Sequence, residues 1–151
     1  MARRGYPDGM EGINVDTVES KPVSVGLASG VFYVKCTVKN TNQFAGYLGV
    51  SLENYVDLVP ETKDAAKCEW INSGGSNYLQ VNNATVHRYL GVTINNSACW
   101  GLWTPTGRVN AVVLKDGSIY LSGKDEALYP QKDWVYWGAK DSILKCEFVP
   151  A

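Results

Sequence analysis

Short stretches in which apolar and polar residues alternate follow one another along most of the chain. From residue 31 onward these stretches are rich in β-branched and aromatic residues, and Gly, Pro, Asn and Ser separate them. No stretch shows the period of 3.6 residues that is typical of an amphipathic helix. The pattern therefore predicts ten or more short strands, arranged as a sandwich or a barrel. The predicted strands are Val31–Val38, Tyr47–Leu52, Tyr55–Val59, Lys67–Ile71, Tyr78–Val81, Tyr89–Ile94, Cys99–Trp103, Val109–Leu114, Ser118–Leu121, Trp134–Trp137 and Ile143–Val149.

The turn signals divide the chain into an N-terminal arm and one domain. Asp116-Gly117 lies between two alternating stretches, which is a strong signal for a β-hairpin. Residues 1–28 carry mixed turn chemistry and are predicted to form an arm or an edge strand, with a short strand at Val23–Leu27. Residues 29–151 are predicted to form a single domain.

Internal repeats indicate how the strands are arranged. Gly-Tyr-Leu-Gly-Val-Ser at residues 46–51 recurs as Arg-Tyr-Leu-Gly-Val-Thr at residues 88–93, with a weaker copy at 119–123. Lys-Cys-Glu-Trp-Ile at residues 67–71 returns as Lys-Cys-Glu-Phe-Val at residues 145–149. Three similar four-strand units would close into a six-strand barrel capped by three hairpins, with repeated residues sharing one core layer.

Three segments resemble the opening repeat of ricin-B-like lectins and the related mushroom lectins, which belong to the β-trefoil superfamily. The segments are Ser29–Val34, Tyr47–Val50 and Cys68–Trp70, and the resemblance covers about residues 29–150. It implies an all-β trefoil fold and sugar binding. Cys68 and Cys146 replace the Gln of the family's Gln-x-Trp strand, and Asp57 is the candidate for its sugar-pocket Asp.

Composition narrows the classes of function. The chain has 151 residues and a net charge of -1, and its Lys and Arg residues are scattered, which argues against nucleic-acid binding. No apolar run is long enough to insert into a membrane. The basic N-terminus lacks the apolar stretch of a signal peptide, so we expect a cytoplasmic protein, or one secreted without a signal peptide or after its removal. The four cysteines form no CxxC motif and are expected to be small buried hydrophobes rather than disulfides.

Catalytic residues are sparse. His87 is the single histidine, and a Cys–His nucleophile pair or a His-based metal site would need partners that the sequence does not cluster around it. The carboxylate pairs, Glu61 with Asp64 and Asp125 with Glu126, lie in stretches that resemble turns, where acidic side chains are ordinarily exposed to solvent. We therefore predict that the protein is not an enzyme and uses no cofactor and no metal.

The sequence has better candidates for sugar binding, because proteins bind a sugar by stacking it on an aromatic ring and by hydrogen bonds from Asn, Asp or Gln side chains. Two segments combine these residues, 95–100 and 129–137. In the second segment Trp134 and Tyr136 share one strand face, and Trp137 lies on the other face with Val135. One of the two faces is predicted to be partly exposed. The predicted ligand-binding residues are Trp134, Asp133, Tyr136, Trp137, Asn95, Asn96, Trp100 and His87.

These observations favour a lectin that recognises glycans or glycoproteins and gains avidity as a homodimer. The alternative is a β-trefoil protease inhibitor that inserts a loop, either Asn72–Asn77 or Pro60–Asp64, into an enzyme cleft. A third interpretation is a coat module whose residues 1–28 act as an assembly arm.

Overall fold

A computed structural model describes residues 27–82 and 86–151, and these residues form twelve antiparallel strands and a single turn of 3-10 helix at Thr62–Asp64. The strands are β1 (Phe32–Val38), β2 (Gln43–Val50), β3 (Val56–Val59), β4 (Cys68–Ser73), β5 (Ser76–Val81), β6 (Arg88–Val92), β7 (Ala98–Gly101), β8 (Val112–Lys115), β9 (Ser118–Leu121), β10 (Ala127–Gln131), β11 (Trp134–Gly138) and β12 (Leu144–Pro150). The predicted arm at residues 1–28 falls almost wholly outside the described residues, as does the strand predicted at Val23–Leu27.

Nine of the strands in the described chain close into one antiparallel barrel. The order around the barrel is β1-β2-β3-β11-β10-β9-β8-β5-β4, and the pairing of Phe32 with Cys68 returns β4 to β1. Strand β12 lies outside this circuit and pairs with β1, while β6 and β7 extend from β5.

The predicted β-trefoil, with a six-strand barrel capped by hairpins, is therefore wrong. The physical reason is the pairing of β3 with β11, where Asp57 lies opposite Trp134. The Leu58 N–H also donates to the Asp133 carbonyl at 2.9 Å. These contacts bring the β2–β3 and β10–β11 hairpins into the hydrogen-bonded circuit, so that neither is a separate cap. The coarser prediction of an all-β protein is confirmed.

Local turn chemistry follows the sequence closely at the β8–β9 hairpin. Lys115 pairs with Ser118, which leaves Asp116 and Gly117 as a two-residue turn with φ angles of 53° and 82°. Both residues therefore adopt the left-handed conformation that this tight hairpin requires and that Asp-Gly supplies. The hairpin predicted from Asp116-Gly117 is confirmed.

Aromatic rings fill one part of the core. Phe32, Trp70 and Phe148 contact one another, with ring centroids 5.1 to 6.1 Å apart. The leucines of the repeated Tyr-Leu pattern, Leu48 and Leu90, are fully buried in the same apolar cluster. Burial of side chains of this size stabilises the fold by about 1.5–3 kcal/mol each.

Candidate functional site

Three hairpins meet in the fold, two from the barrel circuit and one that extends from it. They are β2–β3, β6–β7 and β10–β11, and each touches the other two through a bridge between backbones. The bridges pair Tyr55 with Cys99, Ser97 with Tyr136, and Asp57 with Trp134. The surface between the hairpins is therefore built from segments that lie far apart in the sequence.

The hairpin tips are held by a repeated hydrogen bond. Asn54 and Asn96 occupy left-handed turn positions, with φ angles of 66° and 65°. Asn tolerates this conformation better than most residues. The carbonyl of Asn54 accepts from the Trp100 N–H, and that of Asn96 accepts from the Trp137 N–H, both at 2.8 Å. Each tip is thus fastened to a strand of the next hairpin.

Trp100 and Trp137 use their indole groups inside the protein. The Trp100 Nε1–H donates to the Gly49 carbonyl and the Trp137 Nε1–H donates to the Gly91 carbonyl, each at 3.0 Å. The two side chains are only 1% and 2% exposed. Both were predicted to bind ligand. Their buried indole rings leave little surface for a ligand, although Trp100 is among the residues that line the smaller of the two depressions described below.

A depression of about 500 Å³ lies between the three hairpins. Trp134 and Tyr55 line it with side chains that are 43% and 39% exposed. The two rings meet edge to face, with centroids 6.4 Å apart. Tyr136 and Asn95 also line this depression. It therefore offers aromatic faces and polar groups to a ligand.

The predicted division of β11 into two faces is confirmed. Trp134 is exposed and Tyr136 is partly buried, whereas Val135 and Trp137 are buried in the core. Alternate side chains of a strand point to opposite faces, and the core takes the pair that includes Val135. Trp134 and Tyr136 both line the depression, together with the intervening Val135.

A second depression of about 340 Å³ adjoins the first. Glu53, Tyr55, Thr93 and Arg108 line both depressions, so the two form one continuous surface, which we call the hairpin cleft. Arg88 lines the second depression, and its guanidinium donates to the Trp100 carbonyl at 3.3 Å.

Two glycines allow the segment that carries Arg108 to lie against the β6–β7 hairpin. A methyl group at Gly91 would overlap the Arg108 carbonyl, and one at Gly101 would lie 2.7 Å from it. The segment continues alongside β6, where the Asn110 Oδ1 accepts from the Val92 N–H at 3.1 Å. The backbone of Arg108 is therefore held firmly while its side chain is exposed.

The other predicted site residues lie at different distances from the cleft. Asp133 and Asn96 are exposed in turns next to residues that line the cleft, but neither lines it. His87 is half-buried just before β6 and lines neither depression. Among the described residues, no group of three His, Cys, Asp or Glu side chains is placed to hold a metal ion.

Asp57 is half-buried at the β3–β11 junction, on the same sheet face as its partner Trp134, and it lines neither depression. It lies opposite Gly49, and a methyl group at Gly49 would overlap its Oδ1. That oxygen is buried without a hydrogen-bond partner in the described structure. Burial raises the pKa of the Asp57 carboxyl, and the charge of Asp133 raises it further, against a backbone hydrogen bond that lowers it.

Sequence reasoning missed Tyr55, Ile94, Glu53 and Arg108 as cleft residues. The available signal was positional, because Tyr55 and Ile94 flank the turns that follow the two Tyr-Leu-Gly-Val copies. Arg108 had no local signal, since its place depends on a loop packing against glycines of another segment.

The loops proposed for a protease inhibitor differ from each other. Pairing of β4 with β5 extends to Ser73 and Ser76, so Asn72–Asn77 is a hairpin with a two-residue turn at Gly74-Gly75. Its Asn72 Nδ2 donates to the Asn77 Oδ1 at 3.0 Å between two buried side chains. Pro60–Asp64 is a more exposed segment containing the 3-10 turn. The first loop leaves little chain to enter an enzyme cleft.

The four cysteines are buried free thiols, in agreement with the prediction that they act as small hydrophobes. Among the described residues, no helix is long and apolar enough to cross a bilayer.

No protein-family model matches the chain, and the search of curated proteins found no match.

Proposed function

We propose that the protein binds glycans at the hairpin cleft, without a metal and without catalysing a reaction. The observation that supports this proposal is the pair of exposed rings, Trp134 and Tyr55, set edge to face in a concave surface. A sugar ring presents apolar C–H groups on one face and hydroxyls around its edge. The C–H groups pack well against an aromatic face, and the hydroxyls form hydrogen bonds with polar side chains.

The aromatic residues are well supported for this role. Trp134 lies on β11 and pairs with Gln131, and the Tyr55 N–H donates to the Ser51 Oγ at 3.0 Å. Side chains held on paired strands lose little further freedom when a ligand binds. In the proposed complex Trp134 and Tyr55 contact the sugar face, Tyr136 and Asn95 bond its hydroxyls, and Asp133 and Asn96 contact longer glycans at the rim.

Trp134 can be tested against another exposed aromatic residue. Phe44 is 47% exposed, contacts Tyr47 and lines neither depression. We expect Trp134→Ala to weaken binding of a glycan identified on an array by about thirtyfold or more, the effect of losing a central aromatic contact. Phe44→Ala serves as the matched control and should leave the affinity unchanged.

The measurement is a calorimetric titration of each variant, with far-UV circular dichroism to verify the fold. A glycan that binds Trp134→Ala as tightly as the unaltered protein would exclude the cleft as its site. An array on which the purified protein binds no glycan would refute the proposed function, and inhibition of a protease at equimolar protein would favour the inhibitor alternative instead.

A further inference from the structure

We infer that the hairpin cleft recognises a carboxylate-bearing glycan, with Arg108 as the residue that binds the carboxylate. This inference rests on the proposed function and names the class of glycan. Arg108 is exposed and, like Tyr55, lines both depressions, so it borders the part of the cleft that holds Trp134 and also the second, more polar part. A sugar stacked on Trp134 would therefore carry its acidic substituent toward Arg108.

The cationic side chains of the cleft lack acidic partners. In the two described stretches of the chain, neither Arg88 nor Arg108 has a carboxylate oxygen within ion-pair distance. The Arg88 guanidinium donates to a backbone carbonyl, whereas Arg108 is exposed. A planar guanidinium binds a carboxylate with two parallel hydrogen bonds, which are about twice as strong as bonds between neutral groups.

The field within the cleft supports this assignment. Burial raises the pKa of the Cys99 thiol, and the positive charge of Arg108 offsets part of this effect. Cys99 and Arg108 both line the second depression, so the positive charge of Arg108 belongs to its wall. Glu53 is the acidic side chain among the lining residues, and Arg88 and Arg108 outnumber it.

The packing of the Arg108 backbone fixes the point from which its side chain extends. Gly91 and Gly101 leave room for its carbonyl, and Cys99 Sγ lies 3.9 Å from the same oxygen. Preorganised groups bind with a smaller loss of entropy than groups on free loops. The cleft thus combines aromatic faces with a cationic side chain on a held backbone.

The test compares each acidic glycan with its own neutral ester. The probes are lactose terminated with N-acetylneuraminic acid, a glucuronic acid-terminated disaccharide, the methyl ester of each, and 3′-sulfated lactose. We expect at least one carboxylated probe to bind about tenfold or more tightly than its methyl ester, the effect of a charge-assisted hydrogen-bond pair. The sulfated probe is expected to bind more weakly than that carboxylated probe.

The variants separate charge from hydrogen-bond geometry. Arg108→Gln should lose the preference for the acid over its ester, and Arg108→Lys should retain part of it because the charge remains without the planar fork. Glu53→Gln should increase the ratio of acid to ester affinity, because it removes a negative charge from the cleft. Lys124→Gln removes the same charge from an exposed turn outside the cleft and is the control.

The possible failures are distinguishable from one another. If neutral glycans bind in a Trp134-dependent manner but charge has no effect, this inference is wrong and the proposed function stands. If the preference for the acid survives in Arg108→Gln, or the sulfated probe binds most tightly, the assignment of Arg108 to a carboxylate is overturned. If no glycan binds, both proposals fall.

Discussion

Replacing Trp100 or Trp137 by Phe isolates the contribution of a repeated hydrogen bond to stability. Each indole N–H donates to a glycine carbonyl of a Tyr-Leu-Gly-Val copy at 3.0 Å, and each side chain is almost fully buried. Phe retains an aromatic ring but cannot donate, and it fills less space. The two substitutions therefore make the same chemical change at two related places.

The magnitude follows from two effects. Without the indole N–H, the buried glycine carbonyl loses this hydrogen bond, which lowers the free energy of unfolding by about 1–3 kcal/mol. The smaller ring leaves a cavity that adds about 1 kcal/mol. We expect each variant to lose about 2–4 kcal/mol of unfolding free energy, which corresponds to a fall in melting temperature of roughly 4–16 °C for a domain of this size.

The assay is urea unfolding followed by far-UV circular dichroism, with a thermal scan as the second measurement. Trp134→Phe is the matched control, because it makes the same substitution at an exposed position and should change stability by no more than about 0.5 kcal/mol. A loss below about 1 kcal/mol in both Trp100→Phe and Trp137→Phe would refute the reasoning.

Two further predictions concern titratable groups. Burial raises the pKa of Cys68 and Cys99 and contributes, after a hydrogen bond to Cys146, to raising that of Cys36. The native protein should therefore react slowly with a thiol reagent at neutral pH, and unfolding in urea should expose all four thiols; rapid reaction of the native protein would contradict this. The raised pKa of Asp57 means that the folded state retains a proton where the unfolded chain, with a pKa near 3.8, has lost it. The stabilising contribution of the protonated Asp57 carboxyl is present at low pH and is lost as the pH rises above about 3.8. Asp57→Asn should therefore show a smaller fall in melting temperature than the unaltered protein between about pH 4 and about pH 7. An identical fall in the two proteins would contradict this.

Strand positions could be predicted well because alternation and turn residues are local signals. Ser118–Leu121 agrees with β9 at both ends, and most of the other strands differ by a few residues. Strand β10 was missed because Pro130 interrupts its pattern, although it pairs with Val135. The circuit of strands could not be predicted in the same way, since the β3–β11 contact joins hairpins far apart in the chain.

The site was predictable only in part, for a related reason. Alternation along β11 identified Trp134 and Tyr136 as one face, and burial of Val135 determined which face is exposed. Trp100 and Trp137 resemble ligand contacts in composition, but their indole groups bond distant glycine carbonyls in the core. Local sequence shows that an aromatic residue is present, whereas its partner depends on the closed barrel.

The fastening of each hairpin tip to the next hairpin makes recognition a property of the whole domain. Asn54, Asn96 and the tryptophans that hold them come from the first, middle and last parts of the described chain. No single fragment of the chain could form the cleft, and a partly unfolded molecule would lack the binding site altogether. A ligand should consequently stabilise the complete native state against unfolding, and its affinity could be read from the rise in melting temperature with concentration.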